Sequence, residues 1–110
     1  MGRTVPEVIV SYFRASTEGD VDALLACFTE DAAVTDEGRT VHGHTEIRTW
    51  RKNVATAFTY TMEFLAAEQT GPAEHVSTYR LVGDFPGSPV DLRFRFELRG
   101  ELIAALEIAP

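Results

Sequence analysis

The carboxylate with the most unusual setting in this 110-residue chain is Glu107. Two strand-like runs, Val90 to Leu98 and Glu101 to Ile108, flank only Arg99-Gly100, the length of a two-residue hairpin turn. That register sets Phe96 opposite Ile103, Phe94 opposite Ala105 and Leu92 opposite Glu107, and opposed residues share a sheet face. Glu107 would then stand among Leu92, Phe94 and Phe96 on the core side. Desolvation there raises a carboxyl pKa, so the group could stay neutral and donate a hydrogen bond. A slip of one residue reverses this, because it sends the whole strand's side chains to the other face. Glu107 could equally extend into solvent where the sheet frays.

Other reactive side chains admit plainer readings beside the chemical one. Asp36 opens the run Asp36-Glu37-Gly38-Arg39, where Asp suits the first position of a type I turn; as a carboxylate it is also a candidate base. His75 could act as an acid or base near neutral pH, or serve a structural role on its strand. His42 and His44 flank Gly43 with no third clustered ligand, so a helix-entry role is expected rather than a metal site, and no cofactor is expected. Cys27 is the lone cysteine and sits among Leu24, Leu25 and Phe28, as a small buried thiol would.

These groups must be positioned by the elements around them. Thr4-Val5-Pro6-Glu7 has the capping-box pattern, predicting a helix start at Thr4. Val5, Val8, Ile9, Tyr12 and Phe13 then recur at helical spacing, which puts Tyr12 on the buried stripe. Gly19 ends that helix, and Asp20 caps a second whose apolar face is Val21, Leu24, Leu25 and Phe28. From Ala33 a small hairpin follows, ending at Gly43. Ile47, Trp50, Val54 and Phe58 mark a third helix from about Thr45. Four strands complete the chain: Tyr60, Met62 and Phe64 alternate with polar residues; His75 to Val82 follows the break at Gly71-Pro72; and the two final runs follow a turn-rich loop from Gly83 to Pro89. Helices gathered on one side of an antiparallel sheet make an α+β arrangement with a hollow suited to a small ligand. Phe28, Trp50, Phe58, Met62, Phe64, Tyr79, Leu92 and Phe94 are the candidates to line it, and plain core is the alternative for each.

Composition narrows the function. The chain fits one domain, residues 1–110, with 45% hydrophobic residues to fill a core. Seventeen acidic against 10 basic side chains give a net charge of -7, with the basic residues scattered, which argues against a nucleic-acid partner. Apolar runs fall far short of the roughly 18 residues of a membrane span, and the N-terminus lacks a signal-peptide layout, so a cytoplasmic location is expected. Under the same hairpin register, Arg93, Arg95 and Glu97 face Leu106, Ala104 and Leu102. That mixed surface is expected to form a homodimer.

The stretch Val8 to Phe13, with Glu18-Gly-Asp-Val-Asp-Ala-Leu-Leu-Ala-Cys-Phe28, Asp31-Ala-Ala-Val-Thr-Asp36 and Gly43 to Trp50, resembles the NTF2-like superfamily in its SnoaL-like and ketosteroid-isomerase-like branch. The resemblance implies a cone in which three N-terminal helices pack against a curved, mostly antiparallel sheet enclosing a pocket. It aligns Tyr12 with the family tyrosine that donates to a developing oxyanion, and Asp36 with the carboxylate that moves a proton between carbons. A core role for the Tyr12 ring, its hydroxyl reaching a backbone group, stands beside that reading. The family's third group, a protonated acid on a late strand, falls at Leu92, and Glu107 is the candidate replacement. The implied function is isomerase or cyclase chemistry on a steroid- or polyketide-like compound. The alternative is a non-catalytic ligand-binding or dimeric assembly module of the same fold, since fold does not decide function.

Overall fold

A computed structural model describes residues 5–57 and 59–110, with the side chains of 55–57 excepted; Thr4, the expected cap, and Phe58, an expected pocket residue, lie outside the described residues. The first helix, α1 (Glu7–Glu18), is preceded by Pro6 with no side-chain cap. It therefore starts two residues later than the capping box predicts. Proline suits this position because it has no N–H to leave unpaired. Gly19 adopts the left-handed conformation (φ 71°) that closes α1. Asp20 then caps α2 (Val21–Leu25), its carboxylate accepting the Ala23 N–H at 3.0 Å. Phe28 is not on this helix: it opens strand β1 (Phe28–Asp36), which the two-residue turn Glu37-Gly38 joins to β2 (Arg39–His42). Both turn residues have positive φ, 55° and 77°, the twist that matches paired strands.

Helix α3 (Gly43–Ala57) follows β2, so only two of the three helices precede the sheet, and the expected grouping of all three at the N-terminus is corrected. Strands β3 (Tyr60–Gln69), β4 (Glu74–Gly83), β5 (Val90–Arg99) and β6 (Leu102–Ala109) form an antiparallel meander. The sheet order is β2-β1-β6-β5-β4-β3, with β1 parallel to β6. The core lies where α1, α2 and α3 cover β1, β5 and β6: Ile9, Leu24, Phe28, Val34, Ile47, Phe96, Ile103 and Leu106 are fully buried. Fully burying one such side chain stabilises by about 1.5–3 kcal/mol. Strand β3 is mostly exposed, and Phe64 on its inner face is 55% accessible.

The β5–β6 hairpin departs from the expected register. Its turn is Gly100-Glu101, so Arg99 pairs with Leu102 and Leu98 with Ile103. An extra residue, Ala104, then bulges from β6, and beyond it Phe96 pairs with Leu106, Arg95 with Glu107 and Phe94 with Ile108. A single inserted residue exchanges the two faces of everything after it. Glu107 is consequently exposed on the outer face, not beside Leu92, which lies across from Tyr79 instead. Leu106, expected on the outer surface, is 1% exposed in the core. Arg93, Arg95 and Leu102 do remain on the outer face.

This register is testable by a pair of substitutions. Leu106→Glu buries an unpaired carboxylate and should lower unfolding stability by about 3 kcal/mol or more, whereas Glu107→Leu should change it by no more than about 0.5 kcal/mol. Urea denaturation midpoints of the two variants check the assignment, and the opposite ranking would restore the unbulged hairpin.

Candidate functional site

Helix α1 carries Tyr12 into the aromatic layer between helices and sheet. Its ring meets Phe13, Phe28 and Phe96 edge-on, with centroids 5.1, 5.9 and 5.5 Å apart. Phe13 in turn packs on Tyr79 and Phe94 at 4.3 and 5.1 Å. These contacts fix the direction of the Tyr12 phenol, whose residue is 3% exposed. Among the described residues its hydroxyl makes no hydrogen bond, yet no fully occluded side-chain oxygen or nitrogen lacks a partner. A small part of the phenol oxygen's surface is therefore exposed.

Asp36 ends β1 on the inner face, in a row with Ile108, Phe94 and Ser77, three buried neighbours. The strand pairing and the Glu37-Gly38 turn leave its carboxylate pointing toward α3, where the Trp50 indole N–H donates to Oδ2 at 3.0 Å. Oδ1 accepts no hydrogen bond among the described residues, so only one of the two oxygens is tethered.

Arg51 is the residue that sequence reasoning missed. It follows Trp50 on α3, lies four residues after Ile47 and three before Val54, and is only 8% exposed. A cation inside an apolar helical stripe is the signal that could have found it. Its guanidinium donates to the carbonyl of Ser16 at 3.0 Å and to the Tyr60 hydroxyl at 3.3 Å. Tyr60, on β3, was read as a strand residue alone.

The groups sense one another. Burial pushes the Tyr12 hydroxyl well above the ordinary phenol value; the charge of Arg51 opposes the rise, and Tyr60, Asp36 and Cys27 add to it. Tyr12 is thus a proton donor across the neutral range and lies within electrostatic reach of both Asp36 and Arg51.

The other expected residues are distributed differently. His75 lines a separate hollow of about 450 Å³ with Val5, Pro6, Phe64 and Gln69, where neither Tyr12 nor Asp36 takes part. Met62, Tyr79 and Leu92 pack at the margin of the core, while Phe28 and Phe94 are 2% and 5% exposed within it. His44 donates from Nε2 to the Phe28 carbonyl at 3.1 Å, and the Glu46 carboxylate accepts the His42 backbone N–H at 2.8 Å, which ties both histidines to the entry of α3. Cys27 is buried and its thiol points at the Ala23 carbonyl at 3.5 Å.

Residues 9–106 match the family model described as SnoaL-like domain. The chain belongs to the SnoaL-like domain family. A provisionally assigned polyketide cyclase from Sinorhizobium meliloti shares 35% identity with this SnoaL-like protein at a TM-score of 0.91, the match covering 96% of this chain and 95% of that one. A protein of ketosteroid isomerase-like fold from Catenulispora acidiphila, in complex with trimethylamine, superposes at a TM-score of 0.82 with 20% identity over 97% and 87% of the two chains. The epoxide hydrolase/cyclase-like enzyme SalBIII, of pyran ring formation in salinomycin, does so at 0.78 with 22% identity over 93% and 86%. Among curated proteins none matches. The NTF2-like fold is thereby established. Among the described residues no helix is long and apolar enough to cross a membrane.

The raised Tyr12 phenol has a consequence for stability. The unfolded chain ionises its phenols near about 10 while folded Tyr12 stays protonated, so this contribution is complete below that pH and is lost as pH rises past it. Cys27 and Tyr79, also raised by burial, act in the same direction. Denaturation midpoints measured against pH should fall on the alkaline side, and Tyr12→Phe should reduce that fall by up to about 1.4 kcal/mol per pH unit above 10.

Proposed function

We propose that this SnoaL-like protein binds a small apolar carbonyl compound, steroid- or polyketide-like, and moves a proton at the carbon next to the carbonyl. The observation that carries this reading is the pairing of a tethered carboxylate with a buried phenol: Trp50 holds Asp36 Oδ2, and among the described residues neither Asp36 Oδ1 nor the Tyr12 hydroxyl makes a hydrogen bond. In such a reaction Asp36 Oδ1 takes a proton from the α-carbon, and the electron pair moves onto the carbonyl oxygen. Tyr12 donates a hydrogen bond to that oxygen as its charge grows. Return of the proton to another carbon gives an isomer; attack of the enolate carbon on a second carbonyl of the same molecule gives a ring. The Sinorhizobium protein, provisionally assigned as a polyketide cyclase, supports the second outcome, at 35% identity.

Deuterium incorporation into a simple enolisable ketone such as 2-tetralone, followed by NMR in heavy water, tests the base and the donor separately. Asp36→Asn should reduce exchange to the uncatalysed rate, and Tyr12→Phe should slow it by about 10²–10³. Exchange by Asp36→Asn at the wild-type rate would sink the proposal.

The assembly reading has its own support on the outer face. Arg93 and Arg95 stand there among Glu74, Glu97 and Glu107, a mixture of charges that can complement itself about a two-fold axis. On this reading the protein sediments as a dimer and Arg95→Glu sediments as a monomer; a monomeric wild type rules the surface out.

A further inference from the structure

Arg51 poses a question that proton transfer by Asp36 does not answer. The guanidinium is 8% exposed, and moving a charge out of water costs several kcal/mol unless an opposite charge repays it. The chain has 17 acidic residues, yet among the described residues none forms an ion pair with Arg51; the four ion pairs present join Arg48, Arg80, Arg95 and Arg99 to surface carboxylates. Its two acceptors among the described residues are neutral: the Ser16 carbonyl, in the last turn of α1, and the Tyr60 hydroxyl. The negative end of the α1 dipole offsets part of the charge. Ser16 already accepts the Gly19 N–H, so that helix end does not depend on Arg51 for its closure. Tyr12 lies one helical turn before Ser16 on α1, within electrostatic reach of Arg51, and its hydroxyl makes no hydrogen bond among the described residues.

From this arrangement we infer that the ligand of this site is an anion, a flat apolar molecule whose carboxylate or enolate oxygen docks against Arg51 and Tyr12. The inference rests on the reading of Tyr12 and Asp36 as the binding site and adds the ligand's charge. A guanidinium presents a planar fork of donors suited to such an oxygen pair, and the Tyr12 O–H supplies a further one. Asp36 would repel an anion placed against it. The charged end of the ligand therefore belongs at Arg51, and the carbon to be deprotonated belongs toward Asp36.

The test compares two probes of nearly equal shape, 2-naphthoate and 2-acetylnaphthalene, by calorimetry on the wild-type protein at neutral pH. Naphthoate should bind at least tenfold more tightly. In Arg51→Met that preference should disappear while the neutral ketone binds as before, and Arg51→Lys should keep part of it. Arg51→Met should also melt at or above the wild-type temperature, since it removes a buried charge lacking a carboxylate partner. Equal binding of the two probes by the wild type overturns the inference and leaves the pocket reading intact. Binding of neither probe overturns both. A sharp loss of melting temperature in Arg51→Met marks the residue as a structural strut between α1 and β3 and likewise overturns it.

Discussion

The placement of Tyr12, and of the cation that acts on it, depends on how α1 seats on the sheet. Tyr12 and Phe13 are successive residues, yet both are buried, because the aromatic floor of Phe28, Phe94, Phe96 and Tyr79 extends around the helix on both sides. Edge-to-face contacts of this kind define orientation as well as area. A ring held by three neighbours has little freedom to turn its hydroxyl elsewhere. The same seating brings the last turn of α1 to the Arg51 guanidinium, so one packing arrangement places the phenol and also supplies an acceptor for the cation beside it.

Asp36 is placed by the short hairpin. A two-residue turn with positive φ at Glu37 and Gly38 ends β1 abruptly, and Asp36 is the last residue before it. An ordinary type I turn would splay the strands and carry the carboxylate outward. The tighter turn keeps it in register with Ile108, on the face that α3 covers, within reach of Trp50. Candidate groups from a helix, a strand end and a second helix are thus placed by elements that are stable for other reasons.

What the sequence made legible was local. The apolar stripe of α1, the Gly19-Asp20 junction and the meander of four strands all follow from periodicity and turn residues within a few positions of one another. Tyr12 and Asp36 were found through family resemblance, and their environments were not. The bulge at Ala104 escaped because alanine is compatible with either face, and no glycine or proline marks the extra residue. That one position misplaced both Glu107 and Leu106. Phe28 fits a helical stripe as well as a strand start, and its strand identity is decided by parallel pairing with Ile103, far along the chain. Arg51 was passed over because a charged residue is counted as surface unless its partners are known, and those partners lie on α1 and β3.

The place of β6 in the sheet also orders the birth of the molecule. It lies between β1 and β5, so the first strand finds its parallel neighbour only after about seventy further residues have been made. On the ribosome, where synthesis proceeds at roughly 5–20 residues per second, α1, α2 and the β1–β2 hairpin must wait several seconds with Phe28 and Val34 lacking their eventual cover. The acidic residues interspersed through that early segment, from Glu18 to Glu37, give the waiting chain mutual repulsion during the interval. Closure of the cone is therefore a late event, and the interior acquires its low-dielectric character only when the last strand slides into place.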